Sequence, residues 1–175
     1  MCDENWTQFS SHMISVIIPS ADCQYPLAEI MNVQVFEDLQ RIQREREADR
    51  LRMQDLGVTE ETIAVLVSTF YDRIRQSPSL GPIFNRAISD WPKHLATMNT
   101  FWSSLILRSN TYTGKPIQAH MKLDGLTKEH YHHWLILFDL TLREVFPEPA
   151  AREPFMTRAR AIAERLESVT VPAHE

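Results

Sequence analysis

The chain has 175 residues, of which 43% are apolar and 23% charged, with a formal net charge of −5. This balance is typical of one globular domain and excludes wholesale disorder. It contains only four glycines, where average usage would give about twelve. So few glycines argue against a β-rich fold with many tight turns, and no glycine-rich phosphate loop can be written. We therefore expect a mostly helical protein.

Charge and cysteine content narrow the class of protein further. Residues 1–57 carry five basic and ten acidic side chains, whereas residues 58–175 carry thirteen of each. No segment has the basic footprint of a nucleic-acid-binding protein. Cys2 and Cys23 form neither a C-x-x-C motif nor a zinc-binding spacing, which favours a reducing compartment. The apolar run at 15–19 is too short for a membrane span, so we expect a cytoplasmic protein with no membrane partner.

The first third of the chain lacks the pattern of a packed domain. Residues 1–32 show no sustained periodicity and are predicted to be a poorly ordered tail. Residues 33–57 are rich in Glu, Arg and Gln and predict a charged helical extension with ion pairs on its surface. A coiled-coil strand is an alternative here, although the heptads are not sustained. The packed domain is expected over 58–170, followed by a short tail at 171–175.

Capping residues and apolar spacing predict four main helices in two successive pairs within this domain. Thr59 is a plausible N-cap for a helix that stops before Ser77, and residues 80–84 read as a corner. Asp90 is expected to cap a second helix that ends near Arg108. One helical turn is predicted over 116–121, and Thr127 is expected to cap a long third helix. A last helix follows Pro149.

His120 is the first candidate for chemistry, because it lies in the predicted short turn with apolar residues on either side. A lone histidine is most often a partly buried residue that hydrogen-bonds to a carbonyl, and a single imidazole specifies no metal. The sharper hypothesis is an axial haem ligand, which needs an apolar slot and a second face with hydrogen-bond donors. Tyr71, His94 and Trp134 lie on the apolar stripes of three different helices and could supply that face. On spacing alone, core residues with one polar handle are the preferred interpretation.

A second cluster consists of His130, His132 and His133. Residues 130 and 133 share a side of the predicted helix, but no acidic residue is placed to complete a metal site. A polar helix face is the preferred interpretation.

Several segments in order, over about a hundred residues, resemble the group III truncated haemoglobins, which are small bacterial two-over-two helical globins. The resemblance extends from about Ile63 to Leu166, and the glycine pairs of the other truncated groups are not found. The segments that carry it are Phe70-Tyr71-Asp72-Arg73-Ile74, Leu80-Gly81-Pro82-Ile83-Phe84-Asn85, Asp90-Trp91 with His94, Phe101-Trp102-Ser103-Ser104, Tyr112 through Gly114 and Pro116 to His120, and His133-Trp134-Leu135 with Leu137-Phe138. The resemblance implies an all-α, two-over-two helical sandwich. The tail and charged helix before Leu56 lie outside the resemblance and form an N-terminal extension.

It also implies haem b bound between the two helix pairs. His120 matches the proximal histidine, whose second ring nitrogen would donate to a carbonyl and fix the ring. Tyr71, His94 and Trp134 match distal polar positions, where O–H and N–H donors would slow the dissociation of O2.

The remaining matched positions form the walls. Phe84 matches the aromatic residue that packs on the haem face. Met98 matches an apolar residue of the distal wall, with an axial ligand as a less favoured alternative. Lys93 and Lys122 are candidates for contact with the haem propionates.

These residues and the resemblance leave three functions open. The first is reversible binding of O2 or another diatomic gas by a monomeric haemoprotein. The second is a haem enzyme, in nitric oxide dioxygenation or peroxidase-like detoxification, which would need an external reductase because the chain encodes no flavin or NAD domain. The third is a haem-free interaction module that uses the charged helix at 33–56, and it would leave the set of Tyr71, His94, His120 and Trp134 as a coincidence.

Overall fold

A computed structural model describes the backbone of residues 27–171 and the side chains of residues 33–171. This part of the chain forms seven α-helices and no β-strand, so the all-α prediction is confirmed. None of its helices is both long and apolar enough to cross a membrane. The helices are α1 (Leu27–Asp55), α2 (Glu60–Gln76), α3 (Gly81–Ala87), α4 (Trp91–Ile106), α5 (Pro116–His120), α6 (Lys128–Val145) and α7 (Pro149–Thr170).

The described residues fall into two compact units, one up to Gln43 and the other from Arg44 onward. The first unit contains the beginning of α1, which starts at Leu27 rather than at the predicted residue 33. Its apolar side chains Val33, Val35 and Leu39 are more than half exposed, which agrees with a solvated helix. The rest of the predicted tail, residues 1–26, lies outside the described residues, as do residues 172–175 of the predicted C-terminal tail.

The second unit begins before residue 58, where the packed domain was expected to start. Met53, in the last turn of α1, is only 6% exposed and belongs to the main core. The helix ends at Asp55, and Gly57, two residues later, has a φ of +80°, the left-handed conformation that glycine adopts without strain. The burial of Met53 gives no signal in the sequence periodicity, because a single buried side chain on a charged helix makes no apolar stripe.

The predicted caps position the main helices. The Thr62 backbone N–H donates to Thr59 Oγ1 at 3.3 Å, and the Thr59 N–H donates to Thr62 Oγ1 at 2.8 Å, so both ends of a capping box are present at α2. Asp90 accepts from the Lys93 N–H at 3.0 Å at the start of α4. Thr127 is the N-cap of α6, as predicted. The single helical turn predicted over 116–121 is present as the short helix α5.

The segment predicted as a corner is a helix, α3, of seven residues. Seven residues are too few to show a 3.6-residue period, and Pro82 at its start is compatible with either a turn or a first helical turn. Gly81 is required by close packing, because a Cβ atom there would lie 2.7 Å from the Arg75 carbonyl oxygen.

The core of the second unit lies where α2 packs against α4 and α6, and where α6 packs against α7. Phe138 is fully buried at its centre. Its ring stacks on Trp102 at a centroid distance of 4.8 Å and on Trp134 at 5.4 Å. Such ring pairs stabilise a fold beyond what the burial of their apolar area contributes. This aromatic stack ties α4 to α6 and closes the back of a cavity between the helices.

Candidate functional site

One cavity of about 340 Å³ lies among helices α2 to α7 and is lined mainly by apolar and aromatic side chains. This is the size and character of a small-molecule pocket. Residues from six helices, α2 to α7, and from the intervening segments contribute to its lining, with Phe84 the residue from α3. All six residues singled out from the sequence are among them: Tyr71, Phe84, His94, Met98, His120 and Trp134.

The His120 ring is oriented by its own helical turn. Its Nδ1 lies 2.8 Å from the Pro116 carbonyl oxygen, four residues earlier at the start of α5. A carbonyl oxygen can only accept, so Nδ1 carries the proton and donates. The predicted hydrogen bond to a carbonyl is therefore present. It leaves Nε2 with the lone pair that a metal ligand needs.

Tyr71 is a buried phenol in the wall of the cavity. Its side chain is only 5% exposed, and its ring centroid lies 4.8 Å from that of His94 and 6.2 Å from that of Phe84. Burial raises the pKa of the Tyr71 hydroxyl well above its usual value, and proximity to Tyr112 raises it further. The group therefore stays protonated at neutral pH and keeps an O–H to donate.

His94 contributes an imidazole atom that lacks a partner. Its Nε2 is buried and has no hydrogen-bond partner among the described residues. Burial lowers the pKa of His94, and the neighbouring charge of His120 lowers it further, so the neutral ring is favoured. A buried polar atom without a partner is uncommon in a folded protein and is a frequent sign of a ligand site.

Trp134 and the wall residues complete the enclosure. Trp134 is held edge-on by Phe70, with ring centroids 5.4 Å apart, in addition to its stack on Phe138. Met98 lines the cavity one helical turn after His94, and Phe101 and Trp102 lie beside it on α4. The cavity therefore has a largely aromatic surface on the side of α4 and α6.

Other lining residues were not assigned a role from the sequence. Tyr112 lines the cavity, packs on Phe101 at a centroid distance of 5.0 Å, and has a pKa raised by burial. Lys115 also lines it, whereas Lys93 and Lys122 are exposed and do not. The expectation that Lys93 or Lys122 contacts the haem propionates stays a prediction. The only feature of the sequence that could have marked Tyr112 as a site residue is its position in one of the segments that carry the family resemblance.

The three histidines of α6 are not brought together as a metal site. His130 lines the cavity, and its Nδ1 accepts from the Thr127 N–H at 3.1 Å. His133 forms a hydrogen bond with Ser79, with Nδ1 and Oγ 2.7 Å apart, and His132 is exposed. No group of three or more metal-ligating side chains occurs in the part of the chain that the structure describes.

Comparisons with known proteins agree with this geometry. No protein-family model matches the chain. The chain is 33% identical over 116 residues to the group 3 truncated hemoglobin ctb of Campylobacter jejuni, and the match covers 64% of this chain and 91% of that protein. It is also similar to the crystal structure of a group III truncated hemoglobin from Campylobacter jejuni, with a TM-score of 0.62 and 31% identity, over 67% of this chain and 96% of that one.

The helical sandwich and this structural match define the protein as an all-α globin. The relative shares a third of its residues with this chain over nearly its whole length. The chain therefore belongs to the family of group III truncated haemoglobins.

Proposed function

We propose that the protein binds haem b in the cavity and, through it, binds O2 and other diatomic gases reversibly. One juxtaposition carries the proposal. An imidazole with an available Nε2, His120, lines the same apolar cavity as three side chains with an O–H or N–H group, Tyr71, His94 and Trp134.

The residues present fit a haem in two respects. The cavity is walled by aromatic and aliphatic side chains, such as Phe84 and Met98, which suit a large apolar ring system. The unpartnered Nε2 of His94 is a polar atom that a ligand inside the cavity would satisfy. When bound, haem would supply an iron with a coordination position open to a gas molecule.

His120 would hold the metal through Nε2. In the neutral ring, the hydrogen bond from Nδ1 to the Pro116 carbonyl selects the tautomer that has its lone pair on Nε2, and it fixes the plane of the ring. Such a partner also makes a histidine a more basic ligand. The main chain of α5 therefore performs the orienting role that carboxylates perform in many metal sites.

Tyr71, His94 and Trp134 would orient and retain a gas molecule that carries partial negative charge. The raised pKa of Tyr71 keeps its hydroxyl a donor, and the lowered pKa of His94 keeps its ring neutral with a single N–H. Donors placed before the ligand arrives cost no reorganisation on binding. We expect slow O2 dissociation as a result.

The same three donors favour a second candidate function, a haem enzyme that detoxifies nitric oxide or peroxide with an external reductase. A site that retains O2 strongly is suited to redox chemistry rather than to delivery. Stopped-flow oxidation of the oxygenated protein by nitric oxide, with and without a general flavin reductase, would test this. Sustained turnover would support the enzyme, and fast O2 release without turnover would support the carrier.

Titration of the purified protein with hemin would test the proposed function itself. We expect a Soret band that saturates at one haem per chain and is lost or strongly altered in His120→Ala. His132→Ala is the matched control, because His132 is exposed on α6 outside the cavity lining. Absence of the band in the unmodified protein, or an unchanged band in His120→Ala, would contradict the proposal.

A further inference from the structure

Trp91 lies behind two residues of the cavity without lining the cavity itself. It is the first residue of α4 and is half-buried. Its ring centroid lies 5.8 Å from that of His94 with an interplanar angle of 84°, and 6.1 Å from that of Tyr71 with an angle of 61°. Its indole therefore supports the outer sides of two of the three candidate donors.

His94 depends on these ring contacts for its position. Its Nε2 has no hydrogen-bond partner among the described residues, so no such bond from that atom fixes the ring. Side chains of an α-helix lean toward its N-terminus, which brings the imidazole of His94 over Trp91, one turn earlier. The edge-on contacts with Trp91 and with Tyr71, at 4.8 Å, hold the imidazole in the cavity wall.

Arg75 holds Trp91 from the other side. Its guanidinium carbon lies 4.8 Å from the centroid of the Trp91 ring, in the position of a cation–π contact. Arg75 follows Tyr71 by one turn of α2, and Asp72 lies on the same helix with an oxygen 3.8 Å from the guanidinium. The contact therefore links α2 to the first turn of α4, at the end of α4 that carries His94.

We propose that Trp91, held by Arg75, is a positioning residue that keeps the imidazole of His94 inside the cavity and so limits the entry of diatomic ligands. His94 has an alternative outside the cavity, because its unpartnered Nε2 gains water partners when the ring turns to solvent. The ring contacts of Trp91 oppose that rotation. The inference rests on the proposed function, because ligand entry is measured at a bound haem.

The test is the bimolecular rate of CO association with the reduced, haem-loaded full chain after laser photolysis. We expect Trp91→Leu and Arg75→Gln each to accelerate association, the second by roughly two- to fivefold, the value of an exposed cation–π contact. Trp91→Phe retains a ring against His94 and should give a smaller acceleration than Trp91→Leu. Arg158→Gln is the matched control, since Arg158 is exposed on α7.

A double-mutant cycle separates positioning of His94 from general loosening of the fold. In a His94→Leu background, Arg75→Gln and Trp91→Leu should leave the CO association rate unchanged. The same acceleration in both backgrounds, or none in either, would overturn the inference. If Trp91→Leu does not fold, the cycle with Arg75→Gln decides alone, because Arg75 is exposed. Failure of the proposed function gives a different result, since the unmodified protein would then show no Soret band.

Discussion

The Nδ1 atom of His120 donates to the carbonyl oxygen of Pro116 across 2.8 Å, so that one short helix holds both the candidate ligand and the group that orients it. Proline begins α5 without an N–H to satisfy, and its carbonyl oxygen, which has two lone pairs, accepts from the side chain four residues later. The availability of Nε2 thus follows from local backbone geometry, without a second side chain.

This relationship predicts how the site would respond to an external ligand. In His120→Gly, added imidazole should restore the Soret band, because it can bind iron with one nitrogen and donate to the Pro116 carbonyl with the other. N-methylimidazole lacks that N–H and should bind roughly two- to tenfold more weakly, the usual net value of one hydrogen bond. Free hemin, which should bind the two compounds similarly, is the control. Equal affinities in the variant would contradict the assigned bond.

The buried hydroxyl of Tyr71 is expected to retain O2. Tyr71→Phe removes the O–H while leaving the ring contacts with His94 and Phe84 in place. The O2 dissociation rate, measured by stopped-flow ligand exchange, should rise by roughly tenfold or more, because the bond is to a group with partial charge. We expect a smaller rise for Trp134→Phe.

Tyr131→Phe is the matched control for Tyr71→Phe. Tyr131 also lines the cavity, but its hydroxyl forms a hydrogen bond with Thr170 Oγ1 at 2.7 Å. Loss of that hydroxyl should leave the O2 dissociation rate unchanged. If Tyr131→Phe and Tyr71→Phe accelerate dissociation equally, the effect comes from disturbed packing and the donor role of Tyr71 fails.

The lowered pKa of His94 gives a pH dependence of stability with a definite sign. Burial, reinforced by the charge of His120, places the pKa of folded His94 below its ordinary value of 6.5. The unfolded chain therefore binds more protons below that pH, and the free energy of unfolding falls as the pH falls. Tyr71, which also faces the ring, stays protonated throughout this range.

Urea unfolding of the haem-free protein at pH 7.5 and pH 5.5 would measure this effect. His94→Gln should lose less stability between the two values than the unmodified protein does. His132→Gln, which changes an exposed histidine, should lose as much as the unmodified protein. A pH-dependent loss in His94→Gln equal to that of the unmodified protein would contradict the buried, neutral state of His94.

The burial of Met53 predicts where the globin unit begins. A chain that starts at Arg44 retains the part of α1 that carries Met53 and should unfold at nearly the same urea concentration as the full chain. A chain that starts at Val58 removes Met53 and should lose roughly 2 to 5 kcal/mol, the usual cost of deleting a buried methionine side chain. Equal stability of the two truncated chains would favour the boundary expected from the sequence.

The sequence predicted most of the helices because their signals are local. Thr59, Asp90 and Thr127 mark helix starts by side-chain chemistry that needs no distant partner. The helix α3 was missed because seven residues are too few to show a period. The contribution of Met53 to the core was missed because its burial depends on helices far away in the chain.

The six candidate site residues were chosen from apolar stripes and from resemblance. The sequence by itself determined which residue types they are and, except for Phe84, the helical segments in which they lie, whereas their roles as donors, ligand and wall residues stay predictions. Only the tertiary structure decided that all six line one cavity, because helix packing sets the distance between residues as far apart as Tyr71 and Trp134. It also decided that Lys115, rather than Lys93 or Lys122, lines that cavity, and that Arg75 lies over Trp91. A side chain's partner across two helices depends on the angle and register at which they pack, and no local pattern encodes either.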